Sequence, residues 1–255
     1  MLALACVLGL LCGSFLNVVI YRLPLMLMSP EGTTRFNLAW PPSHCPNCQH
    51  RLVAIDLIPI GSFLAQRGLC RYCQSPISRR YPLVECATML CWGGSYWFIA
   101  TPVTAFMTAL LLSLLFALAM IDIQHLLLPD VLTLSLLWLG LLWTVLGPDQ
   151  RLSTQEAVLA AALAYLLLWL VAQGYWLWRG EMGLGLGDAK LFAAIAAWIG
   201  LENLPLVLLS ASSLAIVYGV LWRQRQQTPY IPFAPALACA GAVIYLWQLF
   251  SYSHQ

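Results

Sequence analysis

The sequence predicts an all-α polytopic membrane protein of about eight transmembrane helices with a small cytoplasmic loop domain. Composition supports this, because 61% of the 255 residues are apolar and only 9% are charged, whereas an ordinary soluble domain carries about 25% charged residues. The apolar runs reach the roughly 17–22 residues that a helix needs to cross a bilayer. The basic residues, finally, are distributed unevenly between the loops.

Eight apolar segments are predicted to be the transmembrane helices, at residues 2–20, 83–100, 103–121, 130–147, 156–177, 188–201, 204–222 and 232–250. The sixth is short and can begin inside the glycine-rich stretch before it. Alternation places four loops on one side of the membrane: 22–82, 122–129, 178–187 and 223–231. That side holds eleven of the twelve Lys and Arg residues, counting the boundary residue Lys190, and only Arg151 lies opposite. The positive-inside rule makes this side cytoplasmic and puts both chain ends outside.

Three parts follow from these segments. Residues 1–24 are predicted to be the first transmembrane helix, residues 25–82 a cytoplasmic domain, and residues 83–255 a membrane-embedded core of seven helices. The middle part is the one sizeable soluble segment. With about 60 residues it has little hydrophobic core of its own, so it needs another source of stability.

Four cysteines in this soluble segment indicate a zinc site. HCPNC and CRYC supply two C-x2-C pairs with 21 residues between them, at Cys45, Cys48, Cys70 and Cys73. Four thiolates from two tight turns can enclose a tetrahedral Zn²⁺, and the bound metal would stabilise the segment. Two disulfides or four unrelated thiols are the alternatives, and the reducing cytoplasm counts against disulfides.

The stretch 181–191, EMGLGLGDAKL, places a glycine at every second position before two charged residues: Gly183, Gly185 and Gly187, then Asp188 and Lys190. Glycine permits close backbone approach and unusual φ values, as needed beside an extended peptide. The spacing differs from the dinucleotide fingerprint and no strand precedes it, which disfavours phosphate binding. Asp188 could cap its helix, but an ionisable residue at membrane depth also suggests function.

Three further carboxylates lie near predicted helix ends. Asp122, 66 residues before Asp188, ends its helix, where the dipole disfavours a negative charge, so a functional role is favoured. Asp130 follows Pro129 and is interpreted as a helix cap. Glu85, in the first turn of the second helix, is interpreted as a dipole complement or an arginine partner, with substrate contact as the alternative.

Asp122 and Asp188 together could hydrolyse a peptide bond by activating a water and protonating the leaving amine. Two like charges a few ångströms apart resist ionising together, so one carboxyl keeps its proton. The helix ends suggest Asp188 as the ionised base and Asp122 as the protonated acid, although the pair titrates as a unit.

Several stretches in order along the chain resemble the type IV prepilin peptidases: GSFLNVVIYRLP, HCPNC, CRYC, RRYPLVE, IDIQHLLLPDVLTL, GLGLGDAKLFAAIAAWIG and IPFAPALACAGA. These enzymes are Gly-x-Gly-Asp intramembrane aspartyl proteases, whose other branch includes presenilin. Ala234 departs from the glycine often found in the last stretch, with little expected consequence.

The resemblance implies a bacterial inner-membrane enzyme that cuts a short basic leader from type IV prepilins or type II secretion pseudopilins at the cytoplasmic face. Cleavage follows a glycine, and the new N-terminal residue is N-methylated from S-adenosylmethionine; members with four cysteines are commonly bifunctional. By position, the implied catalytic residues are Asp122 and Asp188 in a protease core formed by residues 83–255. The predicted supporting or substrate-contacting residues are Gly185, Gly187, Lys190, Glu85 and Asp130. The expected partners are the substrate helix and the lipid bilayer, with no nucleic acid.

Two hypotheses from other functional classes stay open. An ion-coupled transporter could use the same two carboxylates as a relay, although the halves show no inverted repeat and both aspartates lie near one face. A non-enzymatic assembly scaffold could use the cysteine loop for docking. Within the enzyme reading, a peptidase without methyltransferase activity is the alternative.

Overall fold

The computed structural model describes residues 1–28, 36–148, 151–181, 183–226 and 231–253. Within these ranges the chain forms α-helices, one 3₁₀ turn at Ala54–Leu57 and no β-strand. The helices are α1 (Leu2–Met28), α2 (Gly61–Ala65), α3 (Arg80–Phe98), α4 (Pro102–His125), α5 (Asp130–Leu146), α6 (Thr154–Arg179), α7 (Leu186–Ile199), α8 (Leu204–Gln226) and α9 (Ala234–Ser253). The predicted all-α class is confirmed.

Each predicted apolar segment coincides with one of the long helices, and the largest difference is at the end of α1. This helix continues to Met28, eight residues past the predicted end at residue 20. Arg22 does not stop it, because the buried guanidinium donates hydrogen bonds to the carbonyls of Asn37 at 3.0 Å and Leu38 at 3.3 Å. The loop after α1 thus replaces water as the partner of this charge.

Four of the described helices, α1, α4, α6 and α9, are long and apolar enough to cross a membrane, judged by length and composition. Helices α5 and α8 contain shorter apolar stretches. These helices indicate a membrane protein. The number of spans, eight, stays a prediction.

The chain divides into two compact units, Met1–Ser113 and Leu114–Gln255. In the first unit α1 packs closely on α3. A Cβ added at Gly9 would lie 2.8 Å from the Cα of Met89, and one at Gly13 would lie 2.7 Å from the Cα of Glu85. Glycines at this spacing let two helix backbones approach, as in membrane helix pairs.

In the second unit α7 lies at the centre, between α5, α6 and α9. Every residue from Leu191 to Gly200 is buried, as expected for a helix that is apolar on all sides. The indole of Trp198 donates to the carbonyl of Leu136 on α5 at 3.0 Å. On α9, Gly241 leaves room for Ile195, whose Cγ2 would lie 2.8 Å from an added Cβ. The first turn of α7 is therefore held by a well-packed core helix.

Candidate active site and metal site

Asp122 lies in the last turn of α4 and is only 6% exposed. Its Oδ2 accepts a hydrogen bond from the backbone N–H of Ala234, the first residue of α9, at 3.0 Å. A carboxylate at this place satisfies a helix donor that has no partner within the helix and faces the positive end of the helix dipole. Asp122 therefore has a structural partner that no neighbouring part of the sequence reveals.

Asp188 lies in the first turn of α7 and is half-buried. Gly185 occupies the capping position of this helix, and its carbonyl accepts the N–H of Asp188 at 3.1 Å. A Cβ added at Gly185 would lie 3.3 Å from Oδ2 of Asp188. At Gly187 an added Cβ would lie 2.9 Å from the Cβ of Leu128. Gly185 thus leaves room beside the carboxylate, and Gly187 lets Leu128 approach the helix closely.

Asp122 and Asp188 lie in the same region of the second unit, and their carboxyl groups interact electrostatically. Leu128, in the connection that follows α4, packs on Gly187 directly before Asp188, while Asp122 accepts from the first residue of α9. Tyr218 on α8 interacts electrostatically with Asp122 as well. Sequence reasoning missed Tyr218, because this residue lies within an apolar run that carries no motif.

Asp130 and Lys190 form an ion pair between the first turns of α5 and α7. The Nζ of Lys190 lies 2.6 Å from Oδ1 of Asp130. Pro129 occupies the capping position of α5, with φ −64° and ψ 127°. The interpretation of Asp130 as a helix cap is therefore wrong. Asp130 is the first helical residue of α5, and its carboxylate binds Lys190 of α7 instead of capping its own helix.

Glu85 is buried in α3, and its carboxylate binds a loop backbone. Oε2 accepts the N–H of Ile60 at 2.7 Å, and Ser14 on α1 also hydrogen-bonds this side chain. Ile60 has a φ of 56°, unusual for a β-branched residue. The interpretation of Glu85 as a dipole complement or arginine partner misses this contact: the carboxylate attaches a turn of the cysteine loop to the α1–α3 pair.

The two C-x2-C pairs form matching turns. In each turn the first cysteine donates its N–H to the carbonyl five residues later, from Cys45 to His50 at 3.0 Å and from Cys70 to Ser75 at 2.8 Å. The residue after each pair has the same φ of 58°. The turns also touch each other, because the rings of His50 and Tyr72 lie 3.6 Å apart.

The four sulfur atoms of Cys45, Cys48, Cys70 and Cys73 lie within 4.8 Å of one another, and all four are free thiols. The sulfurs of Cys45 and Cys73 are 3.8 Å apart. Bonds of about 2.3 Å in a zinc tetrahedron give an edge of about 3.8 Å. The cluster therefore fits a tetrahedral metal ion.

Comparison with known families assigns most of the chain. Residues 7–99, which hold Glu85 and the cysteine turns, match the Bacterial Peptidase A24 N-terminal domain. Residues 109–220, which hold Asp122 and Asp188, match the Type IV leader peptidase family. The chain belongs to this family. The resemblance described from the sequence motifs is thereby confirmed.

Curated members of the type IV leader peptidase family align along nearly the full length. A protein of Aeromonas salmonicida (strain A449) is 43% identical over 94% of this chain and 88% of its own length. A protein of Stutzerimonas stutzeri is 44% identical over 95% of this chain and 89% of its own length. Both are named prepilin leader peptidase/N-methyltransferase. No solved structure gives a significant match to the chain.

Proposed function

We propose that this protein is a prepilin leader peptidase and N-methyltransferase. It removes the basic leader from type IV prepilins or type II secretion pseudopilins at the cytoplasmic membrane face and methylates the new N-terminal residue. The observation that carries the peptidase half is the interaction between two carboxyl groups, Asp122 from α4 and Asp188 from α7, supported by the packing of Leu128 against Gly187 beside Asp188. It agrees with the names of relatives that align over 94% of the chain.

Catalysis is proposed to follow the two-carboxylate scheme. One carboxylate takes a proton from a water molecule, whose oxygen attacks the carbonyl carbon of the scissile bond. The other carboxyl group gives its proton to the leaving amine, so the pair shares one proton in the resting state. Because the Asp122 carboxylate accepts from the first N–H of α9 and Asp188 lies in the first turn of α7, both face a positive helix end, and helix dipoles do not distinguish acid from base. The role assignment from helix ends therefore loses its basis.

The glycines before Asp188 are proposed to admit the substrate backbone. The scissile bond must lie extended beside the carboxyl groups, and glycine permits such close backbone approach. A side chain at Gly185 would crowd Asp188, because its Cβ would lie 3.3 Å from Oδ2. Lys190 and Asp130 are proposed to support the site by joining the first turns of α7 and α5 through their ion pair. Glu85 is proposed as a structural support of the cysteine loop through Ile60.

The cysteine turns are proposed to hold a structural zinc ion. Cys45, Cys48, Cys70 and Cys73 offer four sulfur ligands in a closed set, which is typical of structural rather than catalytic zinc. S-adenosylmethionine supplies the methyl group for the second reaction. Residues 25–82 would form the zinc domain, between a first helix at 1–24 and a protease core at 83–255.

For the membrane, we propose that the eight long helices all cross the bacterial inner membrane, with the cysteine loop on the cytoplasmic side. The distribution of basic residues supports this orientation, since eleven of the twelve lie on one side in the alternating arrangement.

The test is to incubate the purified protein in detergent with a prepilin and follow the loss of the leader on a gel. Mass spectrometry of the product then reports whether one methyl group is added when S-adenosylmethionine is present. Wild type should cleave, and both Asp122→Asn and Asp188→Asn should not. Full cleavage by either variant would contradict the proposal and favour a transporter or a scaffold.

A further inference from the structure

The connection between α4 and α5 begins at Asp122. Helix α4 ends at His125 and α5 starts at Asp130, so only four residues separate them. The first of these, Leu126, has a φ of 51° and donates its N–H to the carbonyl of Asp122 at 2.9 Å. Any displacement of this connection therefore acts directly on the turn that carries the Asp122 carboxylate.

The same connection is attached to α7 on both sides of Asp188. One attachment is steric, since Leu128 fills the space that a side chain at Gly187 would need. The other is the ion pair of Asp130 with Lys190, at 2.6 Å. The attachment points lie one residue before and two residues after Asp188, so a strap defined by residues 126–130 links the two aspartates.

The Asp130–Lys190 ion pair contributes little to overall stability. Its side chains are 58% and 33% exposed, and exposed ion pairs add little to folding because solvent screens them. The same ion pair can still affect catalysis strongly, because a misplacement of reacting groups by 1 Å can lower a rate by about 100-fold.

We infer that the Asp130–Lys190 ion pair is a positioning device that sets the Asp188 carboxylate against Asp122. The inference rests on the proposed function. Neither residue takes part in the chemistry or binds the substrate; each acts by holding the strap of residues 126–130 against the first turn of α7. Loss of either side chain should therefore lower the cleavage rate to the same extent, because the ion pair needs both.

A double-mutant cycle on prepilin cleavage tests this inference. Asp130→Asn and Lys190→Met should each lower kcat about tenfold while KM changes by less than about threefold, because alignment is lost and substrate contacts are kept. The double variant should be no slower than either single variant, since both remove the same interaction. Lys190→Arg should recover much of the rate.

Arg179→Met is the matched control. It removes one positive charge from the exposed end of α6, and it should leave kcat unchanged. If Asp130→Asn keeps full activity while Lys190→Met does not, Lys190 acts alone through its charge, and the inference is wrong. Multiplying losses in the double variant, or losses mainly in KM, would overturn it equally.

Amide hydrogen exchange provides a readout that needs no substrate. The N–H of Leu126 is bonded to the carbonyl of Asp122 within the strap, so its exchange, followed by peptide mass spectrometry, reports how firmly the strap is held. Lys190→Met should accelerate this exchange severalfold, whereas Arg179→Met should not. An unchanged exchange rate would refute the inference even if wild type cleaves. If wild type fails to cleave any prepilin, the proposed function fails, and exchange still decides whether the ion pair holds the strap.

Discussion

The cysteine cluster and the aspartate pair are assembled in opposite ways. Each cysteine turn closes on itself within six residues, as in Cys45 to His50 and Cys70 to Ser75. Asp122, by contrast, finds its hydrogen-bond partner Ala234 at a separation of 112 residues. Spacing in the sequence therefore specifies the first site directly, whereas the second exists only after several helices have packed.

The largest effect is expected at the cysteine cluster. Cys70→Ser should abolish binding of zinc, because a closed four-sulfur set loses one ligand, and zinc-finger peptides gain about 10–16 kcal/mol from their metal. Metal analysis of the purified protein and limited proteolysis within residues 36–80 measure the result. Cys239→Ser, at an exposed cysteine of α9, is the control and should keep the metal. Retained zinc in Cys70→Ser would rule out the four-cysteine site.

The second largest effect is expected at the aspartate pair, where substitutions should lower the cleavage rate and leave the zinc content unchanged. Asp122→Asn or Asp188→Asn should lower the cleavage rate by about 10²–10⁴-fold, the range for loss of a general acid or base. Zinc content should stay at the wild-type level in both variants. Single-turnover cleavage gives the rate, and loss of metal together with activity would show that the substitution disrupts more than the carboxyl pair.

A third substitution tests whether the long-range hydrogen bond matters. Ala234→Pro removes the N–H that Asp122 accepts, yet proline is tolerated at the first position of a helix. The loss of a hydrogen bond to a charged group, about 1.5–3 kcal/mol, should lower kcat by roughly 10–100-fold. Ala234→Gly keeps the N–H and is the control. Equal rates for the two variants would mean that this contact has no role in cleavage.

How much the sequence could predict follows the same division. The cysteine cluster and the helices could be predicted from the sequence, because residue spacing and the length of an apolar run are local properties. The end of α1 was not, because the buried Arg22 depends on carbonyls of Asn37 and Leu38 in the next loop. Nor could the sequence reveal that Asp130 pairs with Lys190, since the two lie 60 positions apart. Contacts of this kind depend on helix packing, which periodicity does not encode.

Packing of the helix pair in the first unit offers a smaller test. Gly13→Ala would place a Cβ 2.7 Å from the Cα of Glu85, so we expect the free energy of unfolding to fall by about 1–3 kcal/mol through overpacking. Gly94→Ala is the matched control on α3, with nothing within 4 Å of the added atom; it should be neutral or stabilising, because alanine favours helix. Denaturant titration in detergent compares them. A neutral Gly13→Ala would contradict the close approach of α1 and α3.

The smallest effect is expected at Glu85, where the two kinds of construction meet: a helix side chain holds a turn of the cysteine loop. Glu85→Gln keeps an oxygen for the N–H of Ile60, so the free energy of unfolding should change by less than about 1 kcal/mol. Amide exchange at Ile60 should stay slow. Glu85→Leu fills similar space without an acceptor and should accelerate that exchange, because the part-buried N–H of Ile60 then loses its partner. If Glu85→Gln accelerates exchange as much as Glu85→Leu does, the negative charge rather than the hydrogen bond holds the turn, and Glu85 would act as the ion-pair partner that the sequence first suggested.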